Sequence, residues 1–199
     1  MISEEKSKLS PRNRIIYAAV TLIRGSDNIS DVTVRKIAKE ADVGIGLINY
    51  HFQTKERLIN ESVQFFMGNE IVTKWGETML GSERDPVSAL KIMLLDAANF
   101  LASYPRISRL SILYDQANPA EDDNTMRAVR GIVPVIREIM GRKGKEKEAE
   151  RIASICIAQM HNFFLREKVL IAMTGLSFKS EEDRNTFIDY IVERIVIQK

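Results

Sequence analysis

Apolar residues fall at helical spacing along almost the whole chain. Ile15, Ala18, Ala19, Leu22 and Ile23 recur three and four residues apart behind Pro11, which gathers them on one face of a helix. Proline suits the first turn, where its missing N–H is not needed, and Gly25 closes the helix ahead of the polar stretch SDNISD. Thr33 can cap the next helix, whose stripe is Val34, Ile37, Ala38 and Ala41. The stripe stops at Ala41-Asp42-Val43, a second short segment runs from Gly44 to Phe52, and Gln53-Thr54 breaks the chain again. Thr54 then caps a longer helix carrying Leu58, Ile59, Ser62, Val63 and Phe66.

Beyond residue 75 every segment reads as helix. Pro86 opens one that runs through Leu90, Leu94, Ala97 and Leu101, and Tyr104-Pro105 interrupts it, because the residue before a proline is pushed out of the helical region. A short piece covers Ile107–Tyr114, and Asp122–Met140 is another, with Pro134 as a kink or early break. Residues 141–148 (GRKGKEKE) read as a charged turn and helix start, with a second basic patch as the alternative. Residues 149–173 form the longest helix and Glu181–Ile197 the last. The expected fold is all-α, with a polar tail at 1–10, a small helical domain at 11–57 and a larger one at 58–199.

Composition narrows this picture. With 45% apolar and 28% charged residues in 199, the chain has enough apolar material for a packed core, and ten glycines with five prolines leave few turns. One cysteine makes neither an internal disulfide nor a thiolate metal cage. No apolar run approaches the ~20 residues that span a bilayer, and the start MISEEKSKLS lacks a signal-peptide core, so a cytoplasmic location is expected. The net charge is +2, but residues 1–57 hold ten Lys/Arg against seven Asp/Glu while the remainder holds 19 against 20. A mildly basic head on a neutral body fits nucleic-acid binding.

Catalytic and metal chemistry find little support. His51 and His161 are far apart in sequence and neither has metalloprotease spacing. His161 lies on an apolar helix and reads as a core or interface histidine, or else as a pocket hydrogen-bond donor; Cys156 on the same helix reads as a small buried hydrophobe. Gly44-Ile45-Gly46 resembles the opening of a dinucleotide fingerprint, but no strand precedes it and Asn49 stands where the third glycine belongs. The expectation is therefore no enzyme, no cofactor and no metal.

Residues 33–52 carry the strongest signal. Two short helices separated by a three-residue turn make a helix-turn-helix, whose second helix enters the major groove. Such a unit needs a small residue at the crossing (Ala38), a turn residue that tolerates positive φ (Asp42), and apolar anchors on both helices (Val34, Ile37, Val43 and Ile48). Two short core helices are the alternative.

The segment VTVRKIAKEADVGIGLINYHFQTKERL resembles the signature of the TetR family of bacterial transcriptional regulators, and the likeness extends over about residues 12–66. The resemblance implies that Thr33, Arg35, Tyr50, His51 and Lys55 touch the DNA backbone; Phe52 could share this role but reads better as a core anchor. Thr33 and Lys55 stand at helix N-termini, where backbone N–H groups and the helix dipole favour phosphate. The chain departs from the family pattern at Gly44, Ile45, Leu47 and Asn49, and it has no basic residue from 44 to 50. Gly44 and Gly46 then permit close backbone approach, Ile45 or Leu47 meets thymine methyls, and Asn49 reads adenine. Alternatively, Gly46 only allows tight helix packing and Leu47 is buried.

The remaining two-thirds shows no motif. One short helix-turn-helix reads about half a turn of duplex, so a two-fold dimer on a palindromic operator is expected. The apolar positions Ile152, Ile155, Met160, Phe163, Phe164, Ile188, Ile191, Val192 and Ile195 spread over more than one helix face, and the resemblance implies a four-helix bundle between two copies of these helices. For the middle region the resemblance implies a cavity for a small, largely hydrophobic effector. The candidate lining is Phe66, Trp75, Met93, Asp96, Asn99, Phe100, Tyr104, Tyr114 and Met126, although such a set can equally be core. The resulting expectation is a ligand-responsive repressor. Its alternatives are a dimer that acts through protein partners with weakened DNA binding, or a small-molecule enzyme.

Overall fold

The computed structural model describes residues 9–26, 28–68, 85–141 and 146–197, and it divides into two compact units, Met1–Met67 and Gly68–Lys199. Most of the expected tail, Trp75 and the centre of the charged run at 141–148 lie outside the described residues. The described residues contain helices and no strand, as the helical spacing of the apolar positions predicts.

The first unit opens with α1 (Pro11–Gly25), which starts where Ser10 Oγ accepts the Asn13 N–H at 3.3 Å and Pro11 fills the first turn. Ile15, Ile16, Ala19, Val20 and Ile23 on its inner face are buried against α2 (Val34–Ala41) and α4 (Lys55–Met67). Between α2 and α4 lies α3 (Ile45–Phe52), held by the fully buried Phe52 and by Ile48. The alternative for Phe52, a backbone contact to DNA, is incompatible with that burial.

The second unit is built around α5 (Pro86–Ser103), α6 (Pro105–Ala117), α7 (Asn124–Ile139), α8 (Glu146–Leu165), α9 (Glu167–Thr174) and α10 (Glu181–Ile191), after which Val192–Ile197 forms a π-helical turn. Side-chain caps fix the starts: Asp85 accepts from the Val87 and Ser88 N–H groups, Asp123 from Met126, and Ser180 from Asp183. By length and composition α5 could cross a membrane, but Leu90, Met93, Leu94, Ala97, Ala98 and Leu101 are buried in the core that it shares with α7, α8 and α10.

Three boundaries differ from the sequence reading. The expected helix at 149–173 is two helices, α8 and α9, broken at Arg166; the Leu165 carbonyl at the break is met by the Arg109 guanidinium at 3.4 Å. Pro134 lies inside α7 and does not end it. The last helix changes to a π turn at Val192.

The interface residues read from the sequence are also redistributed. Ile152, Met160, Phe163, Phe164, Ile188, Ile191 and Val192 are buried within the protomer, Ile195 is half-buried and Ile155 is exposed. Apolar residues ring α8 because its own neighbours α7, α5 and the C-terminal π turn cover several of its faces.

Candidate nucleic-acid interface

The helix-turn-helix is assembled by local hydrogen bonding. Thr33 caps α2 by accepting the Lys36 N–H at 3.3 Å, and α2 ends at Asp42, whose φ of 52° puts it in the left-handed region. A short polar side chain tolerates that conformation where a β-branched one would not. The Asp42 N–H donates to Lys39 O, and the next N–H, of Val43, donates to Ala38 O at 3.0 Å. Gly44 is the N-cap of α3, and its carbonyl accepts the Leu47 N–H at 3.0 Å. No side chain caps α3, so the start of this helix still presents N–H groups outward.

The outer face of α3 is unusual for its exposure. Tyr50 is 79% exposed and Ile45 42%, and Gly44, Gly46 and Asn49 are exposed as well. Leu47 and His51 are half-buried, and the Tyr50 and His51 rings meet edge to face at 5.1 Å. A Cβ built on Gly44 or Gly46 would meet nothing within 4 Å. Packing inside the protomer therefore does not require glycine at either position; Gly44 is a favourable N-cap, whereas Gly46, inside the helix, costs roughly 1 kcal/mol relative to alanine.

Basic residues flank this face. Arg35, Lys36 and Lys39 are exposed on α2. Lys55, at the start of α4, has its Nζ 3.5 Å from Ile29 O, which holds the α4 start beside the turn that leads into Thr33. Thr54 caps α4 by accepting the Arg57 N–H at 3.1 Å. Arg12 and Arg57 both pair with Glu61, and Arg12 also lies over the Phe52 ring, so these two guanidiniums brace the unit internally.

The family model of bacterial regulatory proteins of the tetR family matches residues 15–61, the helix-turn-helix and the helices on either side of it. Residues 15–61 form a TetR-type N-terminal domain. The proteins that this family model describes are bacterial regulatory proteins. The fold is shared with Thermus thermophilus FadR, a TetR-family transcriptional repressor in complex with lauroyl-CoA. That match has a TM-score of 0.67 and 18% identity, and covers 94% of this chain and 96% of that one. A TetR-like transcriptional regulator from Rhodococcus sp. RHA1 matches with a TM-score of 0.58 and 12% identity over 95% and 97% of the two chains. In sequence, the nucleoid occlusion factor SlmA of Pectobacterium carotovorum subsp. carotovorum (strain PC1) is 22% identical over 179 residues, 84% of this chain and 89% of the relative. SlmA of Edwardsiella ictaluri (strain 93-146) is 24% identical, and there the chain spans 54% of the relative.

The residues read as a TetR-type effector pocket have different surroundings within the described residues. Met93 and Phe100 are core residues, and the Phe100 ring stacks at a tilt on half-buried Tyr104 at 4.9 Å. Asn99 accepts a hydrogen bond from Arg184 Nε at 2.8 Å. Asp96 and Tyr114 are half-buried, and Phe66 belongs to the first unit, where Arg24 lies over its ring. Met126 instead borders a cleft of about 870 Å³ whose lining includes Asp115 and His161.

Sequence reasoning did not single out Asp115 or Arg184. Both were marked in the pattern, since each polar residue continues an inward stripe: Ile107, Ser108, Ser111 and Ile112 before Asp115, and Ile188 and Ile191 after Arg184. Cys156 is buried, which pushes its thiol up to about 12 and leaves it protonated and unreactive. No group of three or more metal-ligating side chains occurs among the described residues.

Proposed function

We propose that the chain is a homodimeric repressor that binds a palindromic operator and is released by a small, largely hydrophobic effector. The observation that carries the DNA reading is the outer face of α3, where two glycines without an internal packing role flank exposed Ile45, beside exposed Asn49 and Tyr50. Glycine lets the backbone approach phosphates or base edges, Ile45 offers a methyl-to-methyl contact with thymine, and Asn49 can bond an adenine edge in two places. Leu47, half-buried, contributes at the margin of that contact. Thr33, Arg35, Tyr50, His51 and Lys55 grip the phosphates on either side.

Dimerisation is supported by the apolar surface of the C-terminal helices. Ile155 on α8, Val169, Ile171 and Met173 on α9, and Tyr190 on α10 are all exposed, with Met173 at 80%. A second copy covering this surface would remove from water what the protomer leaves there. The effector reading draws on the Met and aromatic side chains of α5 to α7 and on the lauroyl-CoA held by the T. thermophilus neighbour of similar fold. A ligand coupling of ~1–3 kcal/mol changes operator affinity several-fold or more.

The test is a gel shift with DNA from the protein's own promoter region, run with and without acyl-chain ligands, alongside sedimentation at micromolar protein. Sequence-specific retardation by a dimer, weakened by ligand, is the expected result. A second reading, action through a protein partner, is favoured by the likeness to relatives named for nucleoid occlusion. It predicts weak or absent specific retardation, which no ligand alters.

A further inference from the structure

The cleft bordered by Met126 lies wholly within the second unit, where the end of α6, the α6–α7 turn, the start of α7 and the outer half of α8 meet. Its floor holds Asp115, which is 4% exposed. One carboxylate oxygen, Oδ2, accepts two hydrogen bonds from Thr125, from the backbone N–H and from Oγ1, each at 2.9 Å. The other oxygen, Oδ1, is buried and has no hydrogen-bond partner among the described residues. A buried acceptor left without a donor costs free energy, so such atoms in native proteins ordinarily have a partner supplied from elsewhere.

We propose that this cleft binds a small molecule with a protonated primary amine on a compact apolar body, the ammonium donating to Asp115 Oδ1. The cleft shares Met126 with the effector lining read from the sequence, but the proposal rests on Asp115 and not on that reading. Thr125 fixes the carboxylate with its free oxygen as an acceptor, and an ammonium offers three donors and an opposite charge. Pro119, Ala120, Met126, Ala158 and Leu165 supply apolar walls for the body, and the volume suits a ligand of ordinary small-molecule size.

The other titratable groups around the cleft are compatible with a cationic guest. Asp123 is occupied, its Oδ1 accepting from the Met126 N–H and its Oδ2 from the Ala120 N–H. Glu121 is exposed at the rim and adds negative charge. Burial pushes the His161 imidazole down to about 4, so at neutral pH it is uncharged and does not repel an ammonium. Arg130 and Arg166 are exposed, where water screens them. Burial also raises the Asp115 carboxyl above its ordinary range, and an ammonium beside it offsets that cost.

The probe is cyclohexylmethylamine, titrated into the full-length protein without DNA and followed by protein-observed NMR, with cyclohexylmethanol and cyclohexanecarboxylate as matched controls. The amine should bind at least tenfold more tightly than either control and shift resonances of Asp115, Thr125 and His161. Asp115→Asn keeps an oxygen for Thr125 but presents an amide NH₂ to the cleft, so amine binding should fall tenfold or more. Should that variant not fold, Ala158→Trp fills the cleft without altering the carboxylate and should also abolish binding. Equal binding of amine and alcohol, no amine binding up to millimolar concentration, or unchanged amine binding in a folded Asp115→Asn or Ala158→Trp protein would each overturn the proposal. Operator binding is measured separately, so its presence or absence bears only on the DNA reading.

Discussion

Replacing Arg184 with methionine tests whether Asn99 is structural or available to a ligand. The buried Arg184 guanidinium donates from Nε to Asn99 Oδ1 at 2.8 Å, and from Nη1 to Phe178 O at 2.8 Å and Lys179 O at 3.0 Å. Methionine keeps an unbranched apolar stem but donates nothing, so three acceptors lose their partner at once. Lys179 is exposed and its carbonyl can turn to water, whereas Phe178 is buried and Asn99 half-buried. At ~1–3 kcal/mol for each acceptor left unsatisfied, two such acceptors set the loss at about 2–6 kcal/mol. That is a large part of the stability of an ordinary domain.

Urea denaturation of wild type, Arg184→Met, Asn99→Ala and the double variant measures it. Because Asn99 and Arg184 share a hydrogen bond, the double variant should lose less than the sum of the single changes, by about 1–2 kcal/mol. A loss below about 0.5 kcal/mol in Arg184→Met, or additivity within ~0.3 kcal/mol, would refute the reasoning and return Asn99 to the set of ligand-facing groups.

Other expected outcomes follow from the same structure. Gly46→Ala should stabilise the protein by up to ~1 kcal/mol, since its Cβ meets nothing within 4 Å, yet weaken operator binding in a gel shift; improved stability with unchanged affinity would remove Gly46 from the interface. Lys55→Ala should weaken binding about equally on all sequences and reduce the salt slope by about 1 per subunit, whereas Asn49→Ala should relax preference at one half-site position by ~1–3 kcal/mol, both read from titrations at several salt concentrations. Ile155→Asp with Met173→Glu should shift the protein to monomer in sedimentation without unfolding it, because both side chains are exposed in the protomer. As pH falls from about 6.5 toward 4, the unfolded chain takes up a proton on His161 that the folded protein refuses, so stability should drop, by about 2 kcal/mol. Asp115 acts in the opposite sense, because its raised pKa makes the folded form hold a proton longer. His161→Gln should flatten the pH dependence of the urea midpoint.

The helix-turn-helix was legible because its signals are local. A cap at Thr33, a turn residue at Asp42 and anchors at Ile37, Ile48 and Phe52 are each set by spacing within a few residues, and the structure uses them in that way. The larger unit was legible only as helices. Helix existence follows from periodicity, but which apolar face meets which neighbour is decided by contacts between residues far apart in sequence. Ile188, Ile191 and Val192 therefore read equally well as core or as dimer contact, and the fold makes them core. The break at Arg166 had no proline or glycine to announce it. Its exposed carbonyl is satisfied by Arg109, a residue 56 positions away.

The composition of α3 separates affinity from sequence reading to an unusual degree. With no basic residue from 44 to 50, α3 contributes to the proposed operator complex through shape, methyl contact and the amide of Asn49. In the proposed operator complex, Arg35, Lys36 and Lys39 on α2 and Lys55 on α4 supply charge that draws phosphate. Long-range electrostatic attraction is insensitive to sequence and falls with salt, whereas apolar and amide contacts to base edges are short-ranged and barely screened. Raising the salt should therefore lower affinity for operator and random DNA in parallel, leaving the ratio between them nearly constant. A recognition helix carrying its own arginine would behave differently, because charge neutralisation and base reading would then reside in one side chain. A specificity ratio that collapses with salt in this protein would place a cation at the base edges, and the assignment of α3 as an uncharged reading surface would fail.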